Sequence, residues 1–198
     1  MFTPDDTIAY YNLNAQKFVS DTVCVDFEAT QKRFTDKLPD NAFILDFGCG
    51  SGRDTKYFLA QGYQVDASDG SLELCRLASE YTGINVKNML FQDLSAKETY
   101  DGIWACSSIL HLPNYELTDI MRKMTAALKN KGIIYTSFKY GTFEGERNGR
   151  YFTDMTEEIF DGLIAETEGL TIEEHWLTFD VRPNRGEERL LNLILRKL

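Results

Sequence analysis

What this sequence has little of narrows its class before any motif does. No stretch approaches the roughly 18 apolar residues that a membrane-spanning helix needs, so neither a transmembrane segment nor a membrane partner is expected. Positive charge is in short supply: 21 Lys and Arg stand against 31 Asp and Glu, a formal net charge of −10. Nucleic-acid surfaces depend on clustered Lys and Arg, so no nucleic-acid partner is expected. Histidine occurs twice, and the cysteines, Cys24, Cys49, Cys75 and Cys106, are widely spaced with no C-x-x-C pair. No metal centre is expected, and the thiols read as reduced ones in a cytoplasmic protein. The start, Met1-Phe2-Thr3-Pro4-Asp5-Asp6, has neither the basic nor the apolar region of a secretory leader. Repeats, low-complexity tracts and linkers are missing too. The 198 residues therefore read as one domain, able to bury roughly 70% of its unfolded surface.

What is present is alternation. Residues 7–38 carry helical spacing, with Ile8, Tyr11, Ala15 and Phe18 on one face. Phe27, Thr30, Phe34 and Leu38 continue a similar stripe until Pro39-Asp40 breaks it. From there strand and helix signals take turns. Strands are expected at 42–47, 64–68, 86–91, 102–106 and 133–138, and helices at 53–61, 71–81 and 117–128. The last helix is the clearest, with Leu117, Ile120, Met121, Met124, Ala127 and Leu128 in one stripe. Such a pattern predicts a mostly parallel sheet covered on both faces, which right-handed crossovers make a doubly wound α/β fold. The tail differs: a helix over 156–168, then strands at 172–179 and 189–195 that form an antiparallel pair at the sheet's end.

The chain is organised around Phe43-Ile44-Leu45-Asp46-Phe47-Gly48-Cys49-Gly50-Ser51-Gly52-Arg53-Asp54. A buried strand passes through a tight turn into a helix N-terminus, whose unpaired N–H groups favour an anionic or carboxylate-bearing, nucleotide-like ligand. A Walker loop needs a Lys after its last glycine, and none follows here. A dinucleotide site needs a third glycine where Arg53 stands, which speaks against an oxidoreductase. What remains is an acid, Asp46, followed by Gly48-x-Gly50-x-Gly52.

In this the chain resembles the class I S-adenosylmethionine-dependent methyltransferases, whose first motif is an acid followed by G-x-G-x-G. The resemblance covers nearly all of residues 40–140. Val65, Ala67, Asp69 and Ser71 fit the family's V-x-[GA]-x-D-x-S, which implies that Asp69 accepts from both ribose hydroxyls, with Asp66 as the fallback. Phe91-Gln92-Asp93-Leu94 is similar to the third motif, implying Asp93 on the adenine amino group and the Leu94 N–H on a ring nitrogen. Asp101-Gly102-Ile103-Trp104-Ala105-Cys106-Ser107-Ser108 is similar to the fourth, whose strand end lines the methyl-donor site. The runs Gly50–Asp54, Ile103–Cys106 and Gly149–Asp154 are similar to small bacterial methyltransferases of the methyltransferase-11/25 and tellurite-resistance-related groups.

The resemblance implies a Rossmann-like sheet of seven strands in the order 3-2-1-4-5-7-6, the last strand antiparallel, with helices on both faces. It divides the single domain into an N-terminal helical lid (1–40), a cofactor-binding core (41–140) and substrate-side loops, a helix and the antiparallel pair (141–198). S-adenosylmethionine, leaving as S-adenosylhomocysteine, would be held by Asp46, Gly48, Cys49, Gly50, Gly52, Arg53, Asp69, Gly70, Ser71, Gln92, Asp93, Leu94, Cys106 and Ser107, with Arg53 toward the methionine carboxylate. Tyr10 and Tyr11 could close over the cofactor. His111, after the fourth strand, joins Tyr11 as a catalytic candidate. Lys139, Tyr140, Arg150, Tyr151 and Arg182, with Arg147 and Arg185, suggest a pocket for an anionic acceptor in an otherwise acidic protein. Phe143, Phe152 and Trp176 could add an apolar wall. The expected function is direct SN2 methyl transfer to a small molecule by a monomer or homodimer. The alternative is a non-catalytic regulatory or sensor protein that binds S-adenosylmethionine. The acceptor atom, whether O, N, S or a metalloid, stays open.

Overall fold

The computed structural model describes residues 4–182 and 187–198. Two helices open the chain, α1 (Pro4–Thr22) and α2 (Glu28–Thr35). Then follow β1 (Phe43–Phe47), α3 (Arg53–Ala60), β2 (Gln64–Asp69), α4 (Leu72–Thr82), β3 (Lys87–Asn88) and β4 (Tyr100–Ala105). Next come α5 (Asn114–Ala127), β5 (Leu128–Lys139), β6 (Glu144–Arg147), β7 (Arg150–Thr153), α6 (Glu157–Thr167), β8 (Leu170–Phe179) and β9 (Arg189–Lys197). Seven strands form one sheet in the order β3-β2-β1-β4-β5-β9-β8, and β6 pairs with β7 apart from it. β1 to β5 pair in parallel, while β9 runs antiparallel to both β5 and β8. This is the expected order with the last strand reversed.

The sheet is buried on both faces because its strands carry apolar residues at consecutive positions, and successive side chains point to opposite sides. Ile44, Trp104, Ile133, Tyr135 and Ile194 meet Phe34 of α2 and Phe58 of α3. Leu45, Phe47, Ile103, Ala105 and Ile134 face the other way, onto the α5 and α6 side with Met121, Met124 and Phe160. Trp104 centres the first layer: Tyr135 stacks on it at 3.9 Å, and Phe34 and Phe58 meet it edge-on at 5.1 and 5.3 Å.

Two departures from the sequence reading shape the site. The strand expected over 86–91 pairs with β2 only through Lys87 and Asn88. The chain then leaves the sheet edge, and Met89, Leu90 and Phe91 turn toward the cleft above the strand ends. The second departure is the β6–β7 hairpin, expected only as loop. Its turn is Asn148-Gly149, with φ of 55° and 77°, the two positive angles that a two-residue hairpin turn requires.

Helix α1 spans the C-terminal ends of the strands. Asn12 accepts from the Ser71 hydroxyl at the start of α4 at 2.7 Å, and the Thr7 hydroxyl accepts from the Tyr151 N–H of β7 at 2.9 Å. The Ile8, Tyr11 and Phe18 stripe therefore faces the cleft, with Ala15 buried beside it.

Candidate functional site

The parallel strands end at one edge, where the turns after β1, β2 and β4 surround a cavity of about 400 Å³. After β1, the Gly48 and Cys49 N–H groups both donate to the Ser68 carbonyl at 2.9 Å, which ties the glycine turn to β2. Gly50 sits at φ +54° in the cavity wall, and a Cβ there would lie 2.9 Å from the Phe18 ring of α1. A side chain at this position would enter the space between the turn and the helix that covers it.

Asp69, at the end of β2, braces the same turn. One carboxylate oxygen accepts from the Gly50 N–H at 2.9 Å and the other from the Ser71 N–H at 2.8 Å. Burial pushes its carboxyl above the usual range, and these two bonds pull it back. Asp66 is elsewhere, bonded to the Tyr100 hydroxyl at 2.8 Å and to Lys87, so the geometry separates the two acids. Gly70, Ser71, Met89, Leu90, Phe91 and Gln92 continue the Asp69 wall.

Arg53 and Asp54, at the start of α3, form the opposite rim. The guanidinium grips the carboxylate with two bonds of 2.8 Å and stacks over Phe27 at 4.5 Å. Asp54 also accepts from the Trp104 indole at 2.8 Å and from Gln31 at 2.6 Å. Burial pushes the Asp54 carboxyl up, but the Arg53 charge and these hydrogen bonds outweigh it and hold the group ionised. Asp54 thus fixes Arg53 in the wall from behind. Sequence reading missed this role, although the acid directly follows the arginine.

Cys106 and Ser107 lie beyond β4. Burial pushes the Cys106 thiol up to about 12, which leaves it protonated and unreactive at neutral pH. Ser107 is held at φ +48° by its N–H bond to the Ser137 hydroxyl at 2.9 Å. Strain of this kind collects at ligand sites.

His111 and Tyr11 meet across the cavity. The Tyr151 carbonyl, which can only accept, lies 2.6 Å from His111 Nδ1, so that nitrogen carries the proton. Nε2 is then the acceptor, and the Tyr11 hydroxyl donates to it at 2.8 Å. Burial, with the charges of Arg150 and Lys139, pushes the imidazole down to about 3, although the Tyr151 carbonyl opposes this. Burial also raises the Tyr11 phenol, against Arg150. Both groups are neutral at pH 7.

The substrate-side candidates divide. Lys139, Arg150 and Arg182 are in the cavity wall, as are Phe152, Asp180 and Val181. Lys139 pairs with Glu188, and Arg182 with Asp180. Tyr140 lies outside the wall under Arg189, and Tyr151 contributes its backbone while its hydroxyl goes to Glu144. Arg147 pairs with Asp154 and covers Phe143, and Trp176 sits under Arg33 on the far side of the sheet. Arg185 lies outside the described residues.

Several cofactor-side candidates also stand behind the wall rather than in it. Asp46 is buried and accepts from the Thr55 hydroxyl at 2.5 Å. Gly52 packs against Thr82 and Ala78 of α4. Leu94 joins the core, and the Asp93 carboxylate accepts from the Leu90 N–H at 3.3 Å. Gln92 is in the wall, but its side-chain amide donates to Glu116 at 2.6 Å. Cys49 lines the cavity.

Residues 44–132 match the model of the methyltransferase domain of the methyltransferase-25 type. An uncharacterized methyltransferase of Staphylococcus carnosus is 24% identical over 123 residues, covering 59% of this chain and 59% of that protein. The match thus spans less than two thirds of that relative's length. Among solved structures, the 1,6-didemethyltoxoflavin-N1-methyltransferase of Burkholderia thailandensis was determined with 1,6-didemethyltoxoflavin and S-adenosylhomocysteine bound. It superposes with a TM-score of 0.75 at 22% identity, over 98% of this chain and 86% of its own. A TehB-like SAM-dependent methyltransferase from Corynebacterium glutamicum gives 0.71 at 22% identity, over 96% and 99%. These two likenesses establish the fold. The family implies S-adenosylmethionine as cofactor, and the site fits it: an anchored carboxylate and a glycine-rich turn line one cavity, with a fixed arginine on the far rim. Residues 44–132 are a methyltransferase domain of this family, carried in a chain with the class I S-adenosylmethionine-dependent methyltransferase fold.

Proposed function

We propose that the chain is an S-adenosylmethionine-dependent methyltransferase that transfers a methyl group directly to a small molecule in the cytoplasm. The observation that carries this reading is the partly covered cavity itself. Asp69 and the glycine turn form one end, the β6–β7 hairpin and the segment after β8 wall the other, and α1 lies across both. A cleft covered in this way suits a small acceptor rather than the surface of a macromolecule.

When bound, the cofactor supplies a methyl group already activated by its sulfonium charge. The protein's part is to bind, orient and exclude water. Asp69 would hold the ribose hydroxyls, Met89, Leu90 and Phe91 the base, and Arg53 the amino-acid carboxylate. Arg53 needs no proton bookkeeping for this, because Asp54 keeps it charged and in place.

His111 and Tyr11 act by position. An imidazole held near a pKa of 3 is a weak proton acceptor at neutral pH. The acceptor therefore brings its own lone pair, and the Tyr11–His111 pair presents a neutral, dry wall to it. On the acceptor side Lys139 and Arg182 are each paired with a carboxylate while Arg150 has none among the described residues, which favours an anionic acceptor.

The test joins calorimetry with S-adenosylhomocysteine to a methyl-transfer screen of amines, thiols, phenols and carboxylic acids. Binding with turnover of at least one acceptor is expected. Binding without turnover of any would favour a regulatory or sensor protein, and failure to bind S-adenosylhomocysteine would sink the reading altogether.

A further inference from the structure

Among the described residues four cations line the cavity: Arg53, Lys139, Arg150 and Arg182. Three of them have a carboxylate partner, respectively Asp54, Glu188 and Asp180. Arg150 has none among the described residues, although its exposure is only 7%. Its Nη1 makes a single long bond of 3.4 Å to the Tyr11 oxygen, and its buried Nε–H has no partner. A guanidinium offers five N–H donors, so most of its bonding capacity is unused.

Aromatic rings surround it instead. The guanidinium carbon lies 4.8 Å from the centre of the Tyr10 ring, 5.1 Å from Phe152 and 5.8 Å from Tyr11. Such contacts favour the cation, yet they leave its charge uncompensated and its in-plane N–H groups available. A buried charge without a counter-ion is costly and persists where a ligand completes it.

Resting on the methyltransferase reading above, we propose that Arg150 is the anchor for a carboxylate on the methyl acceptor. Lys139, Arg182 and Arg53 each pair with a carboxylate, so among the described residues Arg150 is the wall cation whose single charge a monoanion would match. A carboxylate fits it in charge and in planarity, since two parallel N–H···O bonds suit the guanidinium edge. The rings of Tyr10, Tyr11 and Phe152 supply apolar surface for the rest of the acid.

The test uses the full chain saturated with S-adenosylhomocysteine and titrated by calorimetry with acetate, butyrate and benzoate, each against its neutral amide. At least one acid should bind tenfold or more tightly than its amide. Arg150→Gln should abolish that preference and Arg150→Lys should weaken it, while affinity for S-adenosylhomocysteine stays within twofold of wild type. Equal binding of every acid and amide by the wild type would overturn the proposal whatever the variants do. So would a preference that survives in Arg150→Gln, or a parallel tenfold loss of S-adenosylhomocysteine affinity, which would give the anion to the cofactor's amino-acid end. Failure of the wild type to bind S-adenosylhomocysteine is a different result, and defeats the methyltransferase reading instead.

Discussion

Asp69→Ala separates two tasks that one carboxylate performs. In the free protein, each oxygen accepts one backbone N–H, from Gly50 at 2.9 Å and from Ser71 at 2.8 Å. Hydrogen bonds to a charged group contribute about 1.5–3 kcal/mol each when their loss strands the partner. Here the side chain opens onto the cavity, so water can reach both N–H groups once the carboxylate is gone. That brings the loss of folding stability down to about 1–2 kcal/mol in total, measured by urea unfolding of the ligand-free protein. In the complex the same oxygens would also accept from the ribose hydroxyls, and two charge-assisted bonds net about 1–3 kcal/mol against water. At about 1.4 kcal/mol per decade, affinity for S-adenosylhomocysteine should fall roughly 5- to 150-fold by calorimetry. Asp69→Asn should fall between wild type and Ala in both assays, because its amide keeps one accepting oxygen. A variant that loses stability and yet binds S-adenosylhomocysteine as well as wild type would refute the ribose assignment and leave Asp69 as a brace for the turn.

Three further outcomes follow from the same geometry. Gly50→Val should abolish S-adenosylhomocysteine binding and expose α1 to proteolysis, because φ is +54° and the new Cβ would lie 2.9 Å from Phe18; unchanged affinity would contradict it. Asp54→Ala should cost about 3–5 kcal/mol in denaturant unfolding, since it strands Arg53 together with the Trp104 and Gln31 donors, and a loss below about 1 kcal/mol would refute the network. His111 is held down to about 3 against an ordinary 6.5, so between those values the unfolded chain binds the extra proton. Its stability contribution is complete above pH 6.5 and is lost as pH falls toward 3. From pH 6.5 to 5 the wild type should lose about 1–2 kcal/mol more than His111→Gln, and parallel pH profiles would show that the imidazole is not buried neutral.

The alternation of strands and helices was legible because a parallel sheet covered on both faces writes apolar runs into the chain, and glycine and proline punctuate them. The same rule misled at Val86–Phe91, where an apolar run was read as a strand. Met89, Leu90 and Phe91 are apolar because they wall the cavity, and only Lys87 and Asn88 pair with β2. The β6–β7 hairpin escaped for the opposite reason. Glu144-Gly145-Glu146-Arg147 has no apolar period, so nothing marked it as a strand. The signal that could have found it was Asn148-Gly149, a two-residue turn between segments of matched length.

In the site, the legible part is the part that lies along the backbone. The glycine turn is fixed by local geometry, and Asp69 meets it from the end of the next parallel strand, 19 residues after Gly50, so one strand–helix–strand unit sets their spacing. The rest depends on side chains brought together from far apart. Tyr11 meets His111 across 100 residues, His111 meets the Tyr151 carbonyl across 40, and Arg150 reaches Tyr11 across 139. No local pattern could report that these groups share one wall, or that Arg150 has no carboxylate partner among the described residues. The same separation shows how α1 covers the cavity. Among its described side chains only Thr7, Ala15 and Thr22 are buried, and Leu13 is 86% exposed, so little apolar burial holds the helix down. Asn12 to Ser71, Thr7 to Tyr151 and Tyr11 to His111 fasten it instead. The Glu73 N–H also donates to Asn12, and Arg150 to the Tyr11 oxygen, so polar contacts join α1 to α4, to β7 and to the segment after β4. The polar residues that deny α1 a strong amphipathic signal in sequence are therefore the ones that join it to the rest of the fold.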